Sequence, residues 1–126
     1  MTRPYLILPT DADYRAYWET VVCSGPVTTT HGIQVFFQRN RFEHAFFESP
    51  MRDGIKGTAC SPERVKRMSW IRAALTDPTS DWRTGWNKAL GQADRTRAVC
   101  ITDEEFVIVI DMHRTGAALA NFMSCY

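Results

Sequence analysis

Phe106-Val107-Ile108-Val109-Ile110 and Leu119-Ala120-Asn121-Phe122-Met123-Ser124-Cys125-Tyr126 are the two runs whose reading decides the fold. The first is apolar throughout and β-branched from Val107 to Ile110, the pattern of a buried strand. Ala98-Val99-Cys100-Ile101 precedes it, with a turn at Asp103-Glu104 and Gly116 in the following connection. Together they predict three strands in a meander over 98–101, 106–110 and 119–126. Strand side chains alternate between faces with a period of two. Phe122, Ser124 and Tyr126 are therefore expected on one face, with two hydroxyls side by side at a sheet edge. Termini fray unless something ties them down, so a chain closing on this pair points to a site.

Outward from the meander the pattern becomes helical. Thr10 with Asp13 reads as an N-cap, and Tyr14, Tyr17, Trp18 and Val21 follow helical spacing up to Ser24-Gly25-Pro26. Ile33, Val35 and Phe37 alternate as a strand does. A second helix is expected from Asn40, with Glu43 completing a capping box, to Pro50. A linker with Gly54 and Gly57 follows. A third helix starts at Ser61-Pro62-Glu63, carries the stripe Val65, Met68, Ile71 and Leu75, and closes at Asp77-Pro78. Residues 79–96 read as irregular, with Trp82 and Trp86 as anchors. Helices first and a meander afterwards predict an α+β fold, with N-terminal helices packed on one face of a C-terminal antiparallel sheet.

The chain has 126 residues, enough for one domain, 1–126, with a real core. No apolar run is long enough to span a membrane, and the first residues lack the apolar region of a signal peptide. The expected location is the cytoplasm of a bacterium, or of one infected by a phage. Cys23, Cys60, Cys100 and Cys125 are widely spaced and form no CxxC pair, so reduced thiols are expected and neither zinc nor another cofactor is implied. The net charge of +1 is unevenly spread. Residues 39–97 carry twelve Lys or Arg against seven Asp or Glu, so the middle of the chain is the part suited to a polyanion.

Several residues are chemically suggestive. On an ideal second helix Phe42 and Phe46 form the buried stripe, and Arg41, His44 and Glu48 fall together on the other side. This is either a proton-exchanging histidine oriented by a carboxylate or a solvated face with an incidental pair. On the third helix Lys66, Arg67 and Trp70 face away from the stripe, while Arg64 projects among it. Arg64 either snorkels or is aimed into a cleft. Lys56, which sits between the two glycines Gly54 and Gly57, is near enough to the start of the third helix to reach an anion, although no P-loop pattern is present. Ser124 and Tyr126 either hold a phosphate or ribose, or Tyr126 packs its ring and leaves its hydroxyl at the rim.

The run Arg41-Phe42-Glu43-His44-Ala45-Phe46-Phe47-Glu48, then Lys56-Gly57-Thr58, then Ser61-Pro62-Glu63-Arg64-Val65-Lys66-Arg67-Met68-Ser69-Trp70-Ile71, resembles the PBECR family. These are phage proteins related to barnase, EndoU, colicin-type RNases and RelE. The closing Phe-x-Ser-x-Tyr is similar to the family's Phe-x-Thr-x-Tyr, and the resemblance covers about 30–126. It implies a barnase–EndoU–RelE-like fold and a metal-independent endoribonuclease that cleaves host RNA, tRNA or mRNA, by attack of the 2′-hydroxyl on the adjacent phosphate. It assigns His44, Arg64, Ser124 and Tyr126 to catalysis. Arg41, Glu48, Lys56 and Arg67 would bind substrate. An antitoxin, immunity or host protein is the implied partner. Ala59-Cys60 departs from the family's aromatic–serine pair, and a second acid–base group is not evident beyond Glu48 or His113. The rival expectation is a non-catalytic phage protein that uses the same fold to inhibit a host defence or nucleic-acid complex. A virion or packaging protein is a third.

Overall fold

The computed structural model describes residues 4–47, 59–87, 91–102, 104–112 and 118–126. Its elements are α1 (Asp11–Thr20), β1 (Val27–Thr28), β2 (Gln34–Phe36), α2 (Phe42–Phe46), α3 (Pro62–Val65), α4 (Ile71–Thr76), β3 (Asp81–Asn87), β4 (Gln92–Ile101), β5 (Val107–Met112) and β6 (Leu119–Cys125). The strands form a single sheet in the order β1-β2-β6-β5-β4-β3. The fold is α+β, with helices and sheet sharing one core.

The sheet is mixed rather than purely antiparallel. Strands β4 to β6 form the expected meander, and β3 extends it by one antiparallel strand that was not expected. The β1–β2 hairpin, from the N-terminal part of the chain, joins its far side through a parallel β2–β6 pair, with Val35 opposite Ala120. Parallel neighbours require a long crossover. Here the crossover is everything from α2 to β5, which is why local sequence patterns do not announce it.

The helices lie against the sheet face that carries Cys100, Ile108, Ile110, Ala120, Phe122 and Cys125, all buried. Trp18 is fully buried at the centre, with its ring 5.3 Å from Phe122 and 5.5 Å from Phe46. A buried indole N–H needs a partner, and Nε1 of Trp18 donates to the Arg39 carbonyl at 3.2 Å. Each such fully buried aromatic contributes roughly 1.5–3 kcal/mol of transfer free energy.

Helix α1 begins where expected. The Thr10 side chain accepts from the Asp13 N–H at 3.2 Å. The segment before it is tied down rather than loose. Tyr14 Oη accepts from the Leu8 N–H and donates to the Leu6 carbonyl, and Trp70 Nε1 donates to the Pro4 carbonyl. Trp70 is thus buried against Tyr5 and Phe106, although helical spacing places it opposite the apolar stripe.

Four further expectations are corrected. The second helix is shorter: a 3-10 turn at Arg39–Arg41 leads into α2, and Phe47 is already extended and bridges to Cys60. Glu43 does not cap it, because its carboxylate is engaged by Arg15 of α1. The third helix is broken at Lys66 and Arg67 into α3, a 3-10 turn (Met68–Trp70) and α4, although Val65, Met68, Ile71 and Leu75 are all buried as the stripe requires. The described part of 79–96 is not irregular, since β3 and the first half of β4 lie there. Trp82 is a half-buried anchor, and the Trp86 side chain lies outside the described residues.

Among the described residues no helix is long and apolar enough to cross a membrane. All four cysteines are free thiols. Burial pushes Cys60 and Cys125 up to about 12.

Candidate functional site on the open sheet face

Two irregularities in strand pairing shape the sheet face opposite the helices. The first is in β6. Val109 faces Ser124, but the next β5 residue, Ile110, faces Phe122, so Met123 is an extra residue. Such a bulge resets the alternation of side chains and re-aims them. Phe122 therefore points into the core, whereas Met123, Ser124 and Tyr126 line the open face. The expectation that Phe122 shares a face with Ser124 is corrected by this bulge. Ser124 and Tyr126 do share one face, but the expected place for them at a sheet edge is corrected too, because β6 is an inner strand between β2 and β5.

The second irregularity is between β3 and β4. Thr84 faces Ala98, and Gly85 faces Asp94, so residues 95–97 of β4 have no partner of their own on β3. Gly85 is buried beside Arg97. A Cβ built on Gly85 would lie 2.6 Å from the Arg97 Cβ and 3.2 Å from its carbonyl oxygen. A glycine here marks a close backbone approach, and it leaves the room that the Arg97 side chain occupies.

Between these two features lies a cleft of about 590 Å³. Its floor is apolar, formed by Val99, Ile101 and Val109. Its walls are polar: Arg83 and Arg97 on one side, Ser124 and Tyr126 on the other. Arg83 is braced by Asp81, with 2.9 Å between Nη2 and Oδ2. Tyr126 is more than half exposed. Its backbone N–H and carbonyl both pair with Val107, which fixes the residue to β5. Pockets of this size are typical of small-molecule or nucleotide sites. Two guanidiniums facing two hydroxyls across an apolar floor provide donors and positive charge for a phosphate, with a surface for a sugar or base.

The sequence-derived candidates separate. Ser124 and Tyr126 are in the cleft. Arg41 lies beside it: its Nη2 donates to the Met123 carbonyl at 3.0 Å, one residue from Ser124. Arg64 and Arg67 are on the helix side of β6. Nη1 of Arg64 donates to the Ala45 carbonyl, which gives it a structural tie. Both cations act on the Cys125 thiol, where burial outweighs them. His44 is exposed on α2, and neither it nor Arg64 or Arg67 lines the cleft. Glu48, Lys56 and His113 lie outside the described residues. Arg83 was missed because it sits in the stretch read as irregular, and Arg97 because it falls between that stretch and the strand expected from Ala98. The signal that pointed toward them was the excess positive charge of residues 39–97.

Among the described residues no group of three His, Cys, Asp or Glu side chains is placed to hold a metal ion. Comparison with family models, with curated proteins and with solved structures gave no match.

Proposed function

We propose that the protein is an endoribonuclease of phage or prophage type that works without a metal and cleaves host RNA, tRNA or mRNA, in the bacterial cytoplasm. The observation that carries this reading is the convergence of Arg83, Arg97, Ser124 and Tyr126 on one cleft. The resemblance described above supports it through the Ser124–Tyr126 ending.

The reaction is a transesterification. The ribose 2′-oxygen attacks the adjacent phosphorus, the bond to the 5′-oxygen breaks, and a 2′,3′-cyclic phosphate and a 5′-hydroxyl result. Negative charge builds on the non-bridging oxygens as phosphorus becomes five-coordinate. Arg83 and Arg97 are fixed cations for that charge, and each such donor is worth on the order of 10²-fold or more in rate. The Tyr126 phenol is the group in the cleft that can hand a proton to the leaving 5′-oxygen. The proton from the 2′-hydroxyl passes to solvent at the open face, and Ser124 hydrogen-bonds a phosphate oxygen. His44 has no role at the phosphate in this reading.

A second reading has a specific observation in its favour. Among the described residues the cleft lining contains neither imidazole nor carboxylate, so it suits gripping a phosphate as well as cutting beside it. A protein inhibiting a host nucleic-acid complex needs only the grip.

The test is incubation of total bacterial RNA with purified protein in EDTA, beside Tyr126→Phe, Arg97→Gln and His44→Ala. The expected result is discrete products ending in cyclic phosphate. Activity should fall roughly 10²-fold or more in the first two variants and persist in His44→Ala. RNA that is bound but uncut by the wild type would shift the assignment to the inhibitor reading. Loss of cleavage in His44→Ala alone would overturn the site.

A further inference from the structure

The two edges of the sheet differ. Strand β1 at one edge has two residues, whereas β3 at the other has seven, Asp81-Trp82-Arg83-Thr84-Gly85-Trp86-Asn87. Among the described residues nothing pairs with the outer side of β3. An edge strand presents unpaired N–H and C=O groups, a template for another strand, and proteins blunt such edges by shortness, lysine or proline. Strand β1 is blunted by its length. Strand β3 has neither lysine nor proline, and it carries the half-buried Trp82. The extra residues of the β3–β4 ladder lie in β4, so β3 itself runs without interruption.

The charges on β3 indicate what fits against it. Asp81 and Arg83 are two residues apart and so share a face. Their side chains are joined at 2.9 Å and are well exposed. Arg83 lines the cleft, so this is the open face. A strand with an acid and a base on either side of Trp82 is its own charge complement. In an antiparallel pair about a two-fold axis at Trp82, Asp81 of each copy stands opposite Arg83 of the other. Opposed charges favour a register, and like charges disfavour it. An axis at Asp81 sets acid on acid, and one at Arg83 sets arginine on arginine. An axis at Thr84 sets Arg83 opposite Gly85 and Asp81 opposite Asn87, which matches no charge.

We infer that β3 is the edge through which two copies of this chain pair, antiparallel about Trp82, into one continuous sheet. A two-fold axis perpendicular to the sheet keeps each face on its own side, so both clefts open on the same face. Each Arg83 then lies between its own Asp81 and that of the second copy, which thereby contributes a residue to the cleft wall. One strand pair is a small contact, so the dimer depends on concentration. The inference is independent of whether the cleft cuts RNA.

Sedimentation velocity over a wide range of concentrations tests it, on wild type, Asp81→Arg and the double variant Asp81→Arg/Arg83→Asp. The wild type is expected to shift from monomer to dimer as concentration rises. Asp81→Arg places two arginines of each copy at the junction and should weaken dimerisation about tenfold or more. The double variant restores opposed charges and should dimerise within about threefold of wild type. Circular dichroism should show all three folded, since both positions are exposed. Directly opposed residues have Cα atoms about 4.5–5.5 Å apart, within reach of a disulfide. Oxidised Trp82→Cys should therefore link to itself, read from the mass of the joined peptide, and Thr84→Cys should not. A wild type that stays monomeric throughout would overturn the inference. So would a dimer that Asp81→Arg leaves intact, a double variant as weak as Asp81→Arg, or a link at position 84 in place of 82.

Discussion

Gly85→Ala is the sharpest perturbation that the structure offers. The added Cβ would meet the Arg97 Cβ at 2.6 Å and the Arg97 carbonyl oxygen at 3.2 Å. Carbon atoms rest at about 3.5–4.0 Å, so the overlap is about 1 Å. Neither contact atom belongs to the far end of a flexible side chain, so no rotamer change relieves it, and β3 must move away from β4. Overpacking of this kind costs about 1–3 kcal/mol. Removing a glycine from the unfolded chain recovers about 0.4–1 kcal/mol. The expected net loss is about 1–2 kcal/mol, a fall in Tm of roughly 4–8 °C for a chain of this size. Gly25→Ala is the matched control, because nothing lies within 4 Å of its added Cβ. Urea unfolding followed by tryptophan fluorescence should show a lower midpoint with an unchanged slope for Gly85→Ala only. RNA affinity should fall in parallel, since Arg97 leaves its position. A Gly85→Ala protein as stable as wild type would refute the argument, and with it the idea that this glycine makes room for the arginine.

Two further outcomes follow from packing and charge. Phe122→Ala should cost about 3–5 kcal/mol, because the bulge at Met123 sends this ring into the core against Trp18 and Phe37; a near-neutral effect in chemical denaturation would mean that Phe122 faces the cleft after all. Arg15 hydrogen-bonds Glu43 and holds its carboxyl below the usual glutamate range. A lowered folded-state value contributes stability above the unfolded pKa, and that contribution is lost as pH falls through the folded value. Both side chains are more than a third exposed, so the contribution is at most about 1 kcal/mol. Wild type should exceed Glu43→Gln by that margin at pH 7 and match it near pH 2, as read by urea midpoints; a gap that widens in acid would contradict the sign.

The parts of this protein that were legible in its sequence are those whose structure is local. The Thr10 cap, the stripe from Val65 to Leu75 and the apolar strands β5 and β6 each follow from short-range periodicity. The β3–β4 hairpin was not legible. Its second strand opens with Gln92-Ala93-Asp94-Arg95-Thr96-Arg97, a polar run of low strand propensity. Pairing with neighbours overrides that preference, and the three extra residues on β4 blur the alternation. The site divided in the same way. Ser124 and Tyr126 could be paired by counting, whereas Arg83 and Arg97 depend on the hairpin. His44 was attractive through an ideal helix that continues to Glu48, but α2 stops at Phe46.

The position of β6 has a consequence for how the molecule assembles. It lies between β2 and β5, with its partners drawn from distant parts of the chain. The β1–β2 hairpin is too small to persist alone, while β3, β4, β5 and β6 can pair in sequence order. The β2–β6 contact is then the long-range one, and closing it joins the two groups. The same strand delivers Ser124 and Tyr126. Among the described residues the cleft is lined by β3 to β6 alone, so the meander carries the arginines and the hydroxyls together before the β1–β2 hairpin docks against β6.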